Sequence, residues 1–84
     1  MTAIDDLPAN TYLFDARAVA RRFRHSAIFG ALDALQEGET MRFINDHDPV
    51  PLLGQMVNRY GEGIEVNYIQ KDASGVVIDF SIVA

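Results

Sequence analysis

Cysteine is absent from the 84 residues. That one absence excludes disulfide staples, thiolate metal ligation, persulfide carriage and a cysteine nucleophile. No apolar run approaches the ~18 residues that a membrane helix needs. The acidic opening MTAIDDLPAN also lacks the charged-then-apolar layout of a secretory leader. The expectation is a cytoplasmic protein with no membrane partner. Basic charge is scarce: seven Lys and Arg face twelve Asp and Glu, for a net charge of −5. Phosphate contacts need basic surface, so the balance argues against a general nucleic-acid binder.

What is present is apolar side chain. At 49% of residues it suffices for a packed globule and argues against disorder. The length allows one domain, which buries roughly 60% of the surface its unfolded chain exposes. Residues 1–10 read as a flexible lead-in and 11–84 as the domain. The scarce positive charge is unevenly placed. Arg17, Arg21, Arg22 and Arg24 fall within eight positions, a solvated turn or a local patch for an anion or an acidic partner.

Periodicity orders the chain. TYLFD (11–15) is β-branched and aromatic and predicts a short strand. ARAVARRFRH leaves loop and helical turn open. From Ser26 the spacing of Ile28, Ala31, Leu32 and Leu35 predicts a helix, with Ser26 or a neighbour as its cap and Gly38 just past its end. Gly30 inside it costs about 1 kcal/mol relative to alanine, which predicts close packing there.

ETMRFIND (39–46) predicts a strand with Met41 and Phe43 on one face, Arg42 and Ile44 on the other. Leu52, Leu53, Met56, Val57 and Tyr60 have helical spacing, stopped by GEG at 61–63. IEVNYIQK and VVIDFSIVA alternate around the turn DASG. The second of these strands turns Val76, Ile78, Phe80 and Ile82 inward.

The order β-α-β-α-β-β predicts an α+β, two-layer sandwich: a mixed four-stranded sheet with two helices on one face. The other sheet face would mix Leu13, Ile44, Ile69 and Val77 with Arg42, Glu65, Asn67 and Asp79. It is read as plain surface or as an interface for a protein partner or a second copy.

Parallel pairing of the first two strands would bring Asp15, His25, Asn45, Asp46, His47 and Asp48 to one rim, where open α/β sheets bind ligands. Two imidazoles with a carboxylate form a reasonable divalent-metal set, zinc or iron on His25, His47 and Asp46. A carboxylate–histidine pair also suits acid–base work, although neither a nucleophile nor an oxyanion feature accompanies it. Pro51 suits the first helical position. Val50 would then offer no side-chain cap, so the N–H groups of Leu53 and Gly54 would need Asp46, Asp48, water or a ligand. The local alternative is punctuation: Asn45 and Asp46 end a strand, Asp48-Pro49 makes a turn, and His47 sits in water.

The stretches LFDAR (13–17), RHSAIFGALDALQEGET (24–40) and NDHDPVPL (45–52) resemble the bacterial domain-of-unknown-function family 2249 over residues 12–83. That family is distantly similar to the TusA/SirA-like sulfur carriers. The resemblance implies their β-α-β-α-β-β sandwich. It places Arg24, His25, Asn45, Asp46, His47, Asp48, Pro49 and Pro51 at motif positions, and it implies a redox or nitrogen-oxide context. Where the carriers have Cys-Pro-x-Pro, this chain has ARAVARRFRH, so sulfur relay is not implied.

The residues support three readings. The first is a non-enzymatic binding module holding a small ligand or a divalent metal at Arg24, His25, Asn45, Asp46, His47 and Asp48. The second is an interaction or dimerisation domain using the open sheet face. RNA binding through the arginine cluster ranks third, because the chain is acidic.

Overall fold

The computed structural model describes residues 7–84. Residues 1–6, most of the expected flexible lead-in, lie outside the described part. Residues 7–10 turn into the first strand, and the Asn10 carbonyl accepts the Thr40 N–H at 2.9 Å.

Six main elements run in order: β1 (Thr11–Asp15), α1 (Arg21–Ala34), β2 (Thr40–Asn45), α2 (Val50–Tyr60), β3 (Ile64–Asp72) and β4 (Gly75–Ile82). Short 3₁₀ turns at Ala16–Ala18 and Gly61–Gly63 precede α1 and β3. The sheet order is β1-β2-β4-β3, with β1 and β2 parallel and the other pairs antiparallel. This is the expected mixed four-stranded α+β sandwich.

Strand alternation decides what is buried. Met41 and Phe43 of β2 pair with Phe80 and Ile78 of β4, and all four are at most 2% exposed. Phe43 meets the Phe80 ring at 5.4 Å and the Phe14 ring at 6.3 Å, spacings suited to favourable aromatic contact. Ile28, Phe29 and Leu32 of α1 and Leu52 and Met56 of α2 close the core over this face. Burying one such side chain fully contributes about 1.5–3 kcal/mol. The helices are also tied polar to polar: Asp33 of α1 accepts hydrogen bonds from Arg59 and Tyr60 of α2.

Several expectations need correction. The first helix begins at Arg21, not Ser26, and Ala20 stands at its N-cap without a side-chain bond. It ends at Ala34 with Leu35 extended, so Gly38 (φ +90°) belongs to the next turn and not to the helix end. Gly30 is exposed, and a β-carbon there would meet nothing within 4 Å, so it marks no close packing. Val57 is 60% exposed, because Leu52 and Met56 take the core side of α2.

β3 is an edge strand, and apart from Ile64 its residues are exposed. Its register shifts between Tyr68 and Gln70. Such a bulge adds one unpaired residue and reverses the facing of all residues beyond it. Ile69 is that residue. Lys71 pairs with Val76 and so joins Tyr68 on the helix face. On the uncovered face, Arg42 and Asp79 form a two-pronged ion pair at 2.9 and 3.0 Å.

Candidate functional site

β1 and β2 run parallel and end side by side, at Asp15 and Asn45. The segments leaving these two strand ends build the rim. Asp15 accepts the Arg17 N–H at 3.0 Å and its guanidinium at 2.8 Å, and this turns the chain into the Ala16–Ala18 coil. The Arg17 hydrogen bond holds the Asp15 carboxyl below the usual range. Ala16 is thereby driven fully into the core. Arg24, in the first turns of α1, donates its Nε–H back to the Val19 carbonyl at 2.7 Å.

Asn45 continues the inward alternation of Met41 and Phe43, and it is only 6% exposed. Its Nδ2 donates to the His47 carbonyl at 3.0 Å. A carbonyl can only accept, so this bond orients the amide. The Oδ1 atom is then left buried, with no hydrogen-bond partner among the described residues. A buried acceptor left unsatisfied costs about 1–3 kcal/mol.

A cavity of about 300 Å³ opens beside it. Its polar lining is Arg21, Arg24, His25, Asn45 and His47, and its apolar walls include Ala16, Ile28, Phe43 and Leu52, with Pro49 alongside. The expected convergence of both histidines on one rim is therefore present. The first turns of two helices lie here, and among the described residues neither has a side-chain cap. In α2, Val50 is the first helical residue and Pro49 its cap. Val50 donates to the Asp48 carbonyl, Pro51 has no N–H, and Leu53 donates to the Pro49 carbonyl. The expected need at Leu53 is thus met within the chain. In that turn the Leu52 N–H is the donor without an acceptor among the described residues.

The two aspartates of the motif turn elsewhere. Asp46 Oδ1 lies 2.6 Å from Nδ1 of the neighbouring His47 ring and 4.0 Å from Arg24 Nη1. The His47 contact, with help from Arg24, lowers the Asp46 pKa. Asp48 faces β3: it accepts the Tyr68 hydroxyl at 2.5 Å and pairs with Lys71 Nζ at 3.1 Å. Neither carboxylate lines the cavity. Among the described residues no three His, Asp or Glu side chains form a metal-holding group. A zinc or iron ion on His25, His47 and Asp46 would require Asp46 to leave the His47 ring.

The sequence placed Arg21 in a basic cluster but not at this rim, and Ala16 and the Tyr68–Lys71 pair were not foreseen. The signal for Ala16 and Arg21 was weak, because the boundary of α1 carries no capping residue. Tyr68 and Lys71 share a face only because of the bulge. Burial of Asn45 was legible by extending the alternation of Met41 and Phe43 by one more step.

Together these features describe a small two-layer α/β domain with a polar-lined cavity at the carboxyl ends of its two parallel strands. The model of domain-of-unknown-function family 2249, described as an uncharacterized conserved protein, matches residues 13–82. The chain belongs to that family. No curated protein and no solved structure gives a significant match.

Proposed function

We propose that the domain is a non-enzymatic module that binds a small molecule in the cavity between the first turns of α1 and α2. The observation that carries this reading is the convergence of both histidines and two arginines on one cavity. Arg21, Arg24, His25 and His47 come from two segments brought together by the parallel strand ends, and all four line it. The volume sits at the small end of ligand pockets, and the mixture of apolar walls with a few polar groups is their usual lining.

Arg24 supports the same reading. Its side chain is only 18% exposed, and of its five N–H groups one has a hydrogen-bond partner among the described residues. The Val19 carbonyl holds the guanidinium in place, so the remaining donors are oriented before any ligand arrives. Binding and not catalysis is favoured, because no nucleophile accompanies the His47–Asp46 pair at this rim.

The test is a screen of small fragments by protein-observed NMR on the full chain. Binding at this site shifts the signals of Arg24, His25, Asn45 and His47 as one group. A screen in which fragments move only residues on other surfaces, or none at all, contradicts the proposal.

A further inference from the structure

We infer that the cavity takes a phosphate group, either the free ion or the phosphate of a small molecule. This names the ligand class of the site proposed above and rests on that reading.

What a ligand can reach in this cavity is its polar rim. Ala16 and Phe43 are fully buried, Ile28 is 3% and Leu52 9% exposed, and Asn45 Oδ1 is closed off. These residues shape the cavity from behind. Arg21, His25 and His47 are exposed and Arg24 is partly buried, so guanidinium and imidazole are the groups a ligand touches.

Fixed charge in that rim has one sign. Two of the seven Lys and Arg line the cavity together with both histidines, and among the described residues no Asp or Glu does. In a chain of net charge −5 this is a local reversal. A cleft lined by one sign of charge concentrates ligands of the other.

Phosphate fits this rim better than a carboxylate does. Arg21, Arg24 and His25 stand on α1, and His47 faces the same space from the loop after β2. One guanidinium fork already satisfies the two coplanar oxygens of a carboxylate. A phosphate group presents three acceptor oxygens in different directions and carries about −1.5 to −2 near neutral pH, which suits two guanidiniums. Arg24 keeps its Nη N–H groups open for it. Only its Nε–H is used, on the Val19 carbonyl, and the Asp46 carboxylate at 4.0 Å is beyond hydrogen-bond reach of Nη1. Arg21 forms no ion pair with another described residue.

The experiment titrates the full chain with inorganic phosphate, methyl phosphate and acetate at fixed pH and ionic strength. Affinities are read from NMR shifts of the Arg24, His25 and His47 signals. Loss of one charge-assisted contact weakens binding by about tenfold, and acetate should trail phosphate by that factor. Arg21→Gln should weaken phosphate binding by about tenfold for the same reason. Arg22→Gln removes an equal charge from the same turn of α1 but outside the cavity lining. Salt screens that charge, so affinity should change by about twofold at most. Both positions are exposed, and the wild-type comparison of phosphate with acetate stands alone if either variant fails to fold.

Equal binding of acetate and phosphate overturns the phosphate assignment. Equal losses in Arg21→Gln and Arg22→Gln also overturn it, since they mark general charge attraction. Methyl phosphate separates the two sources: affinity like that of phosphate supports a phosphorylated small molecule, and loss of binding supports the free ion. If phosphate leaves the cavity signals unmoved while other fragments bind there, the class is wrong and the site remains. If nothing binds there, the site itself falls and the phosphate assignment with it.

Discussion

Gly75 lies against the backbone of Asn45. It sits at φ +137°, and a β-carbon built on it would overlap the Asn45 carbonyl oxygen and crowd Asp46 Cα at 3.3 Å. Neither obstacle is a flexible side-chain tip, so the strands would have to part. The first residue of β4 therefore packs against the strand end that carries the candidate site. We expect Gly75→Ala to cost about 2–4 kcal/mol, from dihedral strain together with overpacking. The urea midpoint should fall with little change in slope. A loss below about 0.5 kcal/mol would contradict the close approach.

Asn45 itself should behave differently. Asn45→Leu removes the bond to the His47 carbonyl, worth about 1 kcal/mol, but also removes a buried acceptor whose burial costs about 1–3 kcal/mol. The His47 carbonyl also loses its donor, which offsets the remaining gain, so the expected stability change is within about 1 kcal/mol of wild type. Asn45→Asp would bury a carboxylate and lose the donor, so it should destabilise the fold clearly. Denaturant melts of the two variants make the comparison. A large loss in Asn45→Leu would mean that Oδ1 is already satisfied.

The Tyr68–Asp48 contact predicts two pH limbs. Hydrogen bonding from Tyr68 first, then Lys71, holds the Asp48 pKa below its ordinary value. A depressed carboxyl pKa contributes stability above its unfolded value, and that contribution is lost as pH falls through the folded value. Conversely, Asp48 pushes the Tyr68 hydroxyl up to about 12. That contribution is complete below the unfolded tyrosine value near 10 and is lost as pH rises through about 12. Tyrosinate absorbance should show a step near 12 that disappears in Tyr68→Phe. Acid melts should show a smaller pH dependence in Asp48→Asn. An unchanged alkaline step in Tyr68→Phe would contradict the assignment.

The Arg42–Asp79 pair lies on the open sheet face, yet both side chains are less than a fifth exposed. Two parallel N–H···O bonds and partial burial lift it above an ordinary surface pair. A double-mutant cycle with Arg42→Ala and Asp79→Ala should give a coupling of about 1–2 kcal/mol that weakens little with salt. A coupling near zero would mark the pair as incidental.

How much of the fold and site was legible in the residues depends on whether the cause was local. The β2 and β4 strands were clear, because Met41, Phe43, Val76, Ile78 and Phe80 alternate without interruption. Convergence of His25 and His47 required only parallel strand pairing. The start of α1 was not legible, since Ala20 provides no capping oxygen and its arginines fit loop and helix alike. The partners of Asp48 were hidden for a different reason. They lie 20 and 23 residues away; Tyr68 faces that side by plain alternation, and Lys71 joins it only because the bulge turns it over. Gly30 misled, because a helical glycine suggests close packing and this one faces open space.

A ligand in this cavity should touch both histidines and both arginines at once, and a crystal structure of the chain soaked with a fragment that shifts the Arg24, His25 and His47 signals checks this. The fragment is expected between the first turns of α1 and α2, within contact distance of Arg24, His25 and His47. A fragment seated on another surface, with this cavity unchanged, would contradict the binding reading.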